Sequence, residues 1–572
     1  MNNLDKSYKN AFPFNLLSAT DSLGRSLPNE KNTTPKRNGK YVGLFYFICN
    51  PSSTVQNTPV YDISGILETD PDAAYKPDSD LWGPSGARHF WGKPLFDYYT
   101  HDDEWVVRRH MQMLTQAEID FIVFDTTNQS IYSDTVDVVL RVLDEYSQAG
   151  FDVPKIVYYT NTDSGKRINE IYEYLYKPGR YQHLWFSWDD KPLIIGDPDQ
   201  CSDEIRRFFT FRLNQWPTEP DKKGGFPWIS FHRPQTVYYA DDGHPEVISV
   251  SVAQHPHILF GDSALYDEPS NRGRSFHENK NDYTRDACLW GYNIAEQWEY
   301  ALEVDPDIIF ITGWNEWTAG RFDGISERPV GFVDCADQEF SRDIEPMEGG
   351  HFDLYYLQMI GYIRLFKGVD AWPEISGQRT IDINGSLMQW DDISPQYLDF
   401  PGDDHGRSHP SFGGKILENL GSENDFRSMK VTHDDCHVYF YAECTKPVKP
   451  YHFKPWMWLL IKVEGSQAKS WLGYQFLVNQ VVLNNTETFL QRCLGGFRWK
   501  TEARVKYSID GEVIQLEIPK SLIDIPEGNQ AFSIEFKWAD SQKDLRIADQ
   551  FYLHGSVAPY GLLNYRYSSA TD

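Results

Sequence analysis

From Tyr41 onward, short apolar runs rich in β-branched and aromatic residues alternate with stretches of helical periodicity, and this alternation stops abruptly after Trp372-Pro373. YVGLFYFIC (41 to 49) is followed by DEWVVRRHMQMLTQAE (103 to 118), and DFIVFDTTN (120 to 128) follows that. Strand, helix, strand in that order predicts βαβ units and a parallel sheet. The pattern continues through TVDVVLRVLDEYSQAG, KIVYYTN, GKRINEIYEYLYK, KPLIIGD, PWISF, EVISVSVAQ and NIAEQWEYALEVD to DIIFITGWNEW at 307 to 317. About eight strands over roughly 330 residues predict a (β/α)₈ TIM barrel. DLYYLQMIGYIRLFKG (353 to 368) places one apolar stripe on a closing helix, with Gly368 as its stop.

Beyond 376 the chain carries only strand patterns, among them VYFYAEC, WMWLLIKV, YQFLVNQVVLN and FSIEFKWAD, separated by Gly, Asn and Asp turns. An antiparallel β-sandwich is expected there. The first 39 residues, ending in NEKNTTPKRNGK, have no periodicity and read as an extended arm. The predicted organisation is therefore an extension (1–39), a catalytic barrel (40–375) and a sandwich (376–572), an α/β fold with an all-β partner.

Charge narrows the function. Lys plus Arg number 54 and Asp plus Glu 83, a net charge of −29 that repels phosphate backbones and anionic bilayers. Nucleic acid is not an expected partner. No apolar window is long enough to span a bilayer and the first ten residues are polar, so neither membrane insertion nor a signal peptide is read; localisation and oligomeric state stay open. The seven cysteines are scattered without CxxC spacing, the histidines do not cluster, and GxGxxG, GxxxxGK[ST] and GxSxG are missing. No metal and no cofactor are therefore expected.

Barrel chemistry gathers at the C-terminal ends of the strands. Those positions supply Tyr46, Asp125, Asn161, His232, Arg233, Trp314, Glu316, Trp317 and Arg321, and the long loops add Trp91 and His277. Carboxylates and amides bind hydroxyls while indole and phenol faces cover the C–H face of a sugar ring, so the expected partner is a carbohydrate. Glu316 lies between two tryptophans in ITGWNEWTAGRF, and Asp125 ends an apolar strand in IVFDTTN. These two are the candidate catalytic acids of a glycosidase. The wider pool for the second acid is Glu268, Glu278, Asp334, Glu339, Asp343 and Glu345.

On VGLFYF, the DEWVVRRHMQMLTQAEIDFIVFDTTN block, GWNEWTAG, DIEPMEGG and the closing helix, residues 40 to 368 resemble the barrel glycoside hydrolases of families 71 and 99. The resemblance implies hydrolysis of O-glycosidic bonds in an oligo- or polysaccharide, with Glu316 as a catalytic acid. In those families a second Glu follows three residues later, where this chain has Ala319. The C-terminal part, in SLMQWDDISPQYLDFPGD and NDFRSMKVTHDDCHVYFYAEC, resembles the family 9 carbohydrate-binding-like sandwiches, which implies a stacking platform drawn from Trp456, Trp458, Trp471 and Trp499. Two alternatives stand beside the hydrolase: a non-catalytic glycan-binding protein, favoured by Ala319, and a polysaccharide lyase, which needs a Lys, Tyr or His base.

Overall fold

The computed structural model describes residues 10–256, 265–266, 271–325, 327–332, 337–451, 455–540, 543 and 546–570. Glu268 and Asp334, both in the pool of acids above, lie outside the described residues.

Eight parallel strands form the barrel: β1 (Tyr41–Tyr46), β2 (Phe121–Thr126), β3 (Lys155–Thr160), β4 (Lys191–Ile195), β5 (Thr210–Gln215), β6 (Gly225–Pro227), β7 (Pro245–Ser251) and β8 (Ile308–Thr312). Their spatial order is β6-β5-β4-β3-β2-β1-β8-β7, so the first strand lies between the second and the eighth. The ring is not laddered between β6 and β7. There the short segment Val237–Tyr239 pairs antiparallel with the free edge of β7.

Two strands differ from the sequence expectation. Thr210–Gln215 reads as polar because Arg212 and Asn214 alternate with apolar residues, so its periodicity is that of a strand with one polar face. PWISF contributes only Pro227 to β6, and Trp228 onward belongs to the loop above it.

Strand alternation separates two cores. Phe45, Phe121, Val123, Val157, Tyr159, Ile195, Phe226, Val247 and Phe310 fill the inside of the ring. Leu44, Tyr46, Ile122, Phe124, Ile156 and Ile309 face the helices outside it. Gly43 exists for this packing: a Cβ there would stand 2.4 Å from the Phe121 ring. Gly43→Ala is expected to destabilise the fold by about 1–3 kcal/mol, the cost of overpacking a filled core, measurable by denaturant unfolding.

The extended-arm expectation is corrected for the described part of residues 1–39. Phe12, Leu16, Leu17 and Leu27 are buried. Phe12 N–H donates to Gln396 O (2.8 Å), Ser18 N–H to Asn564 O (2.9 Å) and Lys36 N–H to Val369 O (2.8 Å). Apolar residues spaced irregularly along a coil leave no periodic signal, yet here they pin the end of the closing helix to the second sheet.

That second sheet is continuous and antiparallel from Tyr397–Leu398 to Ser556–Ala558, and it folds over itself. Phe440 and Phe536 belong to strands far apart in its order, yet their rings are 5.8 Å apart. Trp456, Trp458 and Trp471 are at most 8% exposed and pack against the sheet and its covering loops, so the expected stacking platform is reduced to the half-buried Trp499. Indoles on the outer face are covered because residues 547–563 fold back over it.

The two sheets meet through charged groups. Buried Arg109 donates to Asp403 O and to Asp404 Oδ1, both at 2.9 Å, while its guanidinium lies 3.4 Å from the centre of the Trp105 ring. Asp353 accepts from Tyr552 OH at 2.8 Å, and burial pushes its pKa up to about 7. A raised native pKa means the folded state holds the proton more tightly, so the contribution to stability is full below the unfolded value, about 3.9, and is lost as pH rises through 7. Asp353→Asn keeps an acceptor for Tyr552 without the charge. Its melting temperature relative to wild type is therefore expected to be more favourable at pH 8 than at pH 5, in a paired thermal-denaturation series.

Candidate active site

Side-chain parity decides which strand-end residues face the mouth of the barrel. Asp125 shares the inner face with Phe121 and Val123, and Asn161 shares it with Val157 and Tyr159. Asn214 joins them: its Nδ2 donates to Asn161 Oδ1 at 2.5 Å. Trp228 follows Phe226 on the same face, and the Thr312 hydroxyl donates to its carbonyl. The mouth is thus ringed by Asp125, Asn161, Asn214, Trp228 and Thr312.

Glu316 stands at the rim beyond β8, with 16% of its side chain exposed. Its neighbour Asn315 fixes the turn, because Phe47 N–H donates to Asn315 Oδ1 (2.9 Å) and Asn315 Nδ2 donates to Phe47 O (3.1 Å). Arg342 Nη2 donates to Glu316 Oε2 at 2.9 Å, and the same guanidinium lies 4.8 Å from the centre of the Trp228 ring. Arg342, itself buried, therefore bridges the Trp228 ring just past β6 and the Glu316 carboxylate. The Glu316 N–H donates to Asp343 Oδ1 (2.5 Å), and Asp343 Oδ2 accepts from Trp91 Nε1 (2.9 Å). Burial pushes Asp343 up to about 6. With no exposed surface, Asp343 supports the rim and does not reach it.

The tryptophans around Glu316 do not offer a sugar-stacking face. Trp91, Trp314 and Trp317 are 0, 0 and 2% exposed, and Tyr46 is 1% exposed. Trp91 stacks on Trp317 with centroids 4.4 Å apart, and Trp314 meets His110 edge-on at 5.6 Å. Tyr46 points outward to the helix layer, where its hydroxyl bonds His110 Nδ1 at 2.9 Å. The expectation of direct sugar contact by these four is corrected: their rings form the floor that supports the rim. Glu345 ties that floor together, accepting from Tyr99 OH (2.7 Å), Trp317 Nε1 (2.5 Å) and His110 Nε2 (3.0 Å).

Arg321 is also turned away from the mouth. It is 6% exposed and donates to Gly83 O and Pro77 O at 2.6 Å each, bracing the loop that lines a separate open pocket of about 470 Å³ with Asp78, Asp80 and Asp323. His232 is exposed, Arg233 pairs with Asn293 and Glu296, and His277 faces Asp282 at 3.5 Å while packing on Tyr292; these three belong to the loops after β6 and β7. Of the remaining acids, Glu339 is taken by Ser275 and Glu278 is exposed on its loop.

Asp125 is 3% exposed and accepts from Thr127 N–H (3.0 Å) and Thr127 OH (2.7 Å), and burial raises its pKa. Desolvation pushes the half-buried Cys49 thiol, just past β1, up to about 12, with Asp125 adding to the rise. Asp125 lies near the end of β2, and Glu316 lies four residues past β8. Their strands flank β1 on either side, which sets the two strand axes about 10 Å apart, twice the interstrand spacing. Ala319, by contrast, pairs with His89 of the distant strand Arg88–Phe90 in a small antiparallel sheet and is 5% exposed, so the place of the family's second Glu is packed shut.

Sequence reasoning missed Asn214, Trp228 and Arg342. Asn214 lies on a strand that reads as polar, Trp228 lies just past a three-residue strand, and Arg342 comes from an irregular loop, so none carried a clear signal.

No family model matches the chain, and no curated protein matches it. Among solved structures, a GH99 endo-α-mannosidase from Bacteroides thetaiotaomicron aligns with 57% of this chain and 97% of its own, at 13% identity and a TM-score of 0.34. A glycoside hydrolase-like protein aligns with 59% of this chain and 95% of its own, at 12% identity and a TM-score of 0.27. Among the described residues no helix is long and apolar enough to cross a membrane.

Proposed function

We propose that this protein is a glycoside hydrolase in which Glu316 and Asp125 are the paired carboxylates. The observation that carries the reading is the placement of two acids on either side of β1 at the C-terminal mouth, one partly exposed and one desolvated. Arg342 positions the Glu316 carboxylate from 2.9 Å, and the part-exposed rim setting suits that carboxylate to activate water or to stabilise an oxocarbenium-like transition state. Desolvation favours the protonated form of Asp125, which suits it to protonate the leaving oxygen. Asn161 and Asn214 supply hydroxyl contacts, and Trp228 lines the mouth beside Arg342. The barrel over 40–375 is the catalytic part in this reading, and the sandwich over 376–572 braces it.

One observation favours the second reading, a glycan-binding protein without turnover: the Asp125 carboxylate is nearly enclosed and already engaged by Thr127. A screen of chromogenic glycosides and plant, fungal and algal polysaccharides, with NMR of the first product, separates the two and reads the anomer. Asp125→Asn is expected to lower kcat by about 10²–10⁴ on a substrate with a poor leaving group and by much less on an activated aryl glycoside. Equal losses on both substrates would remove Asp125 from the acid role.

A further inference from the structure

Above the unladdered seam between β6 and β7 lies an arginine with no acidic partner among the described residues. Arg272 is locked to the loop after β7 by a reciprocal backbone pair with Gln254, 2.8 Å in each direction. Its Nη1 donates to Phe231 O (3.1 Å) in the loop after β6 and to Gln254 Oε1 (3.0 Å). Both acceptors are neutral, and Nε and Nη2 are left with no acceptor among the described residues.

A second guanidinium stands beside it. Arg233 and Arg272 both pack on the buried ring of Phe276, at 5.0 and 5.7 Å from its centre. The neighbouring acids are engaged: Glu296 with Arg233 and the Glu278 N–H, Asp282 with His277, and Glu339 with Ser275. Two half-buried guanidiniums side by side, of which only Arg233 has a carboxylate partner among the described residues, are costly unless an anion completes the set. Burial and the charge of Arg233 accordingly lower the pKa of Arg272.

We propose that Arg272, backed by Arg233, recognises a carboxylate or sulfate ester on the saccharide, so that the substrate class is an anionic glycan. This rests on the carbohydrate reading given above. The free edge of the guanidinium presents two parallel N–H donors, the geometry that takes a carboxylate or sulfate in bidentate fashion. At net −29 the protein as a whole repels such a ligand, but that field is screened beyond about 8 Å at physiological salt, whereas a direct fork contact is not.

The test is binding of the full chain to an array of neutral, uronate-bearing and sulfated oligosaccharides, with hits titrated calorimetrically against Glu316→Gln to suppress turnover. The expected result is that a uronate or a sulfated ligand binds at least about tenfold more tightly than its neutral counterpart, the ratio of one charge-assisted pair. Which class wins identifies the anion. Arg272→Gln should erase the preference, and Arg272→Lys, which keeps the charge without the fork, should retain part of it with unchanged thermal unfolding. Equal binding of neutral and charged ligands, a preference that survives in Arg272→Gln, or no binding by either anionic class overturns the proposal. Loss of the hydrolase reading has a different signature: no turnover of any saccharide, with the anion preference and its dependence on Arg272 intact.

Discussion

Glu316→Gln is expected to lower kcat by about 10³-fold or more while leaving ligand affinity within a few-fold, because it removes the charge and the proton-transfer capacity of the rim carboxylate without altering its shape. The amide keeps an oxygen for Arg342 Nη2, so the guanidinium stays over Trp228 and the mouth stays formed. Steady-state rates on the best substrate from the screen, with affinity measured by titration, provide the check. Turnover unchanged by this substitution would remove Glu316 from the chemistry. Arg342→Met makes a useful companion, since it takes away the cation and leaves the carboxylate. Its kcat is expected to fall, because the Glu316 carboxylate loses the guanidinium that holds it at 2.9 Å.

Glu345→Ala is expected to cost about 3–5 kcal/mol of stability, since one deletion strands three buried donors, Tyr99 OH, Trp317 Nε1 and His110 Nε2. Denaturant unfolding measures the loss. The same change loosens Trp317, which immediately follows Glu316, so any folded fraction should also turn over more slowly. Trp317→Phe separates the effects: it keeps a ring against Trp91 and loses only the N–H. A small stability loss for Glu345→Ala would mean that these donors find water on their own and that the floor beneath the rim is softer than its packing indicates.

The barrel was legible because its strands are buried on both faces, which leaves unbroken apolar runs such as FIVF and IIFI between amphipathic helices. The fifth strand was not, since Arg212 and Asn214 give it a polar face, and Arg212 there pairs with Glu246 across the ring. Asp125 and Glu316 could be singled out by position alone, each following an apolar strand. The roles of the tryptophans could not. Trp91 in its long loop and Trp317 at its strand end read as sugar contacts, yet they stack on one another, because two indoles bury more surface against each other than either buries while waiting for a ligand. The family resemblance singled out Glu316 but offered no substitute for Ala319, which is paired with His89 in a small antiparallel sheet.

By itself the sequence determined the local alphabet of this protein: where strands and helices run, that an α/β half precedes an all-β half, and that acids and amides cluster at strand ends. Those properties are written in periodicity and burial over a few consecutive residues. The tertiary structure decided which side chains meet. It drew Arg342 from a coil onto Trp228 and Glu316, closed Ala319 away, turned the aromatic rings inward and set Arg272 beside Arg233 above the seam. Contacts between residues tens to hundreds of positions apart depend on how the ring closes and how its loops cross, and no short-range pattern encodes them.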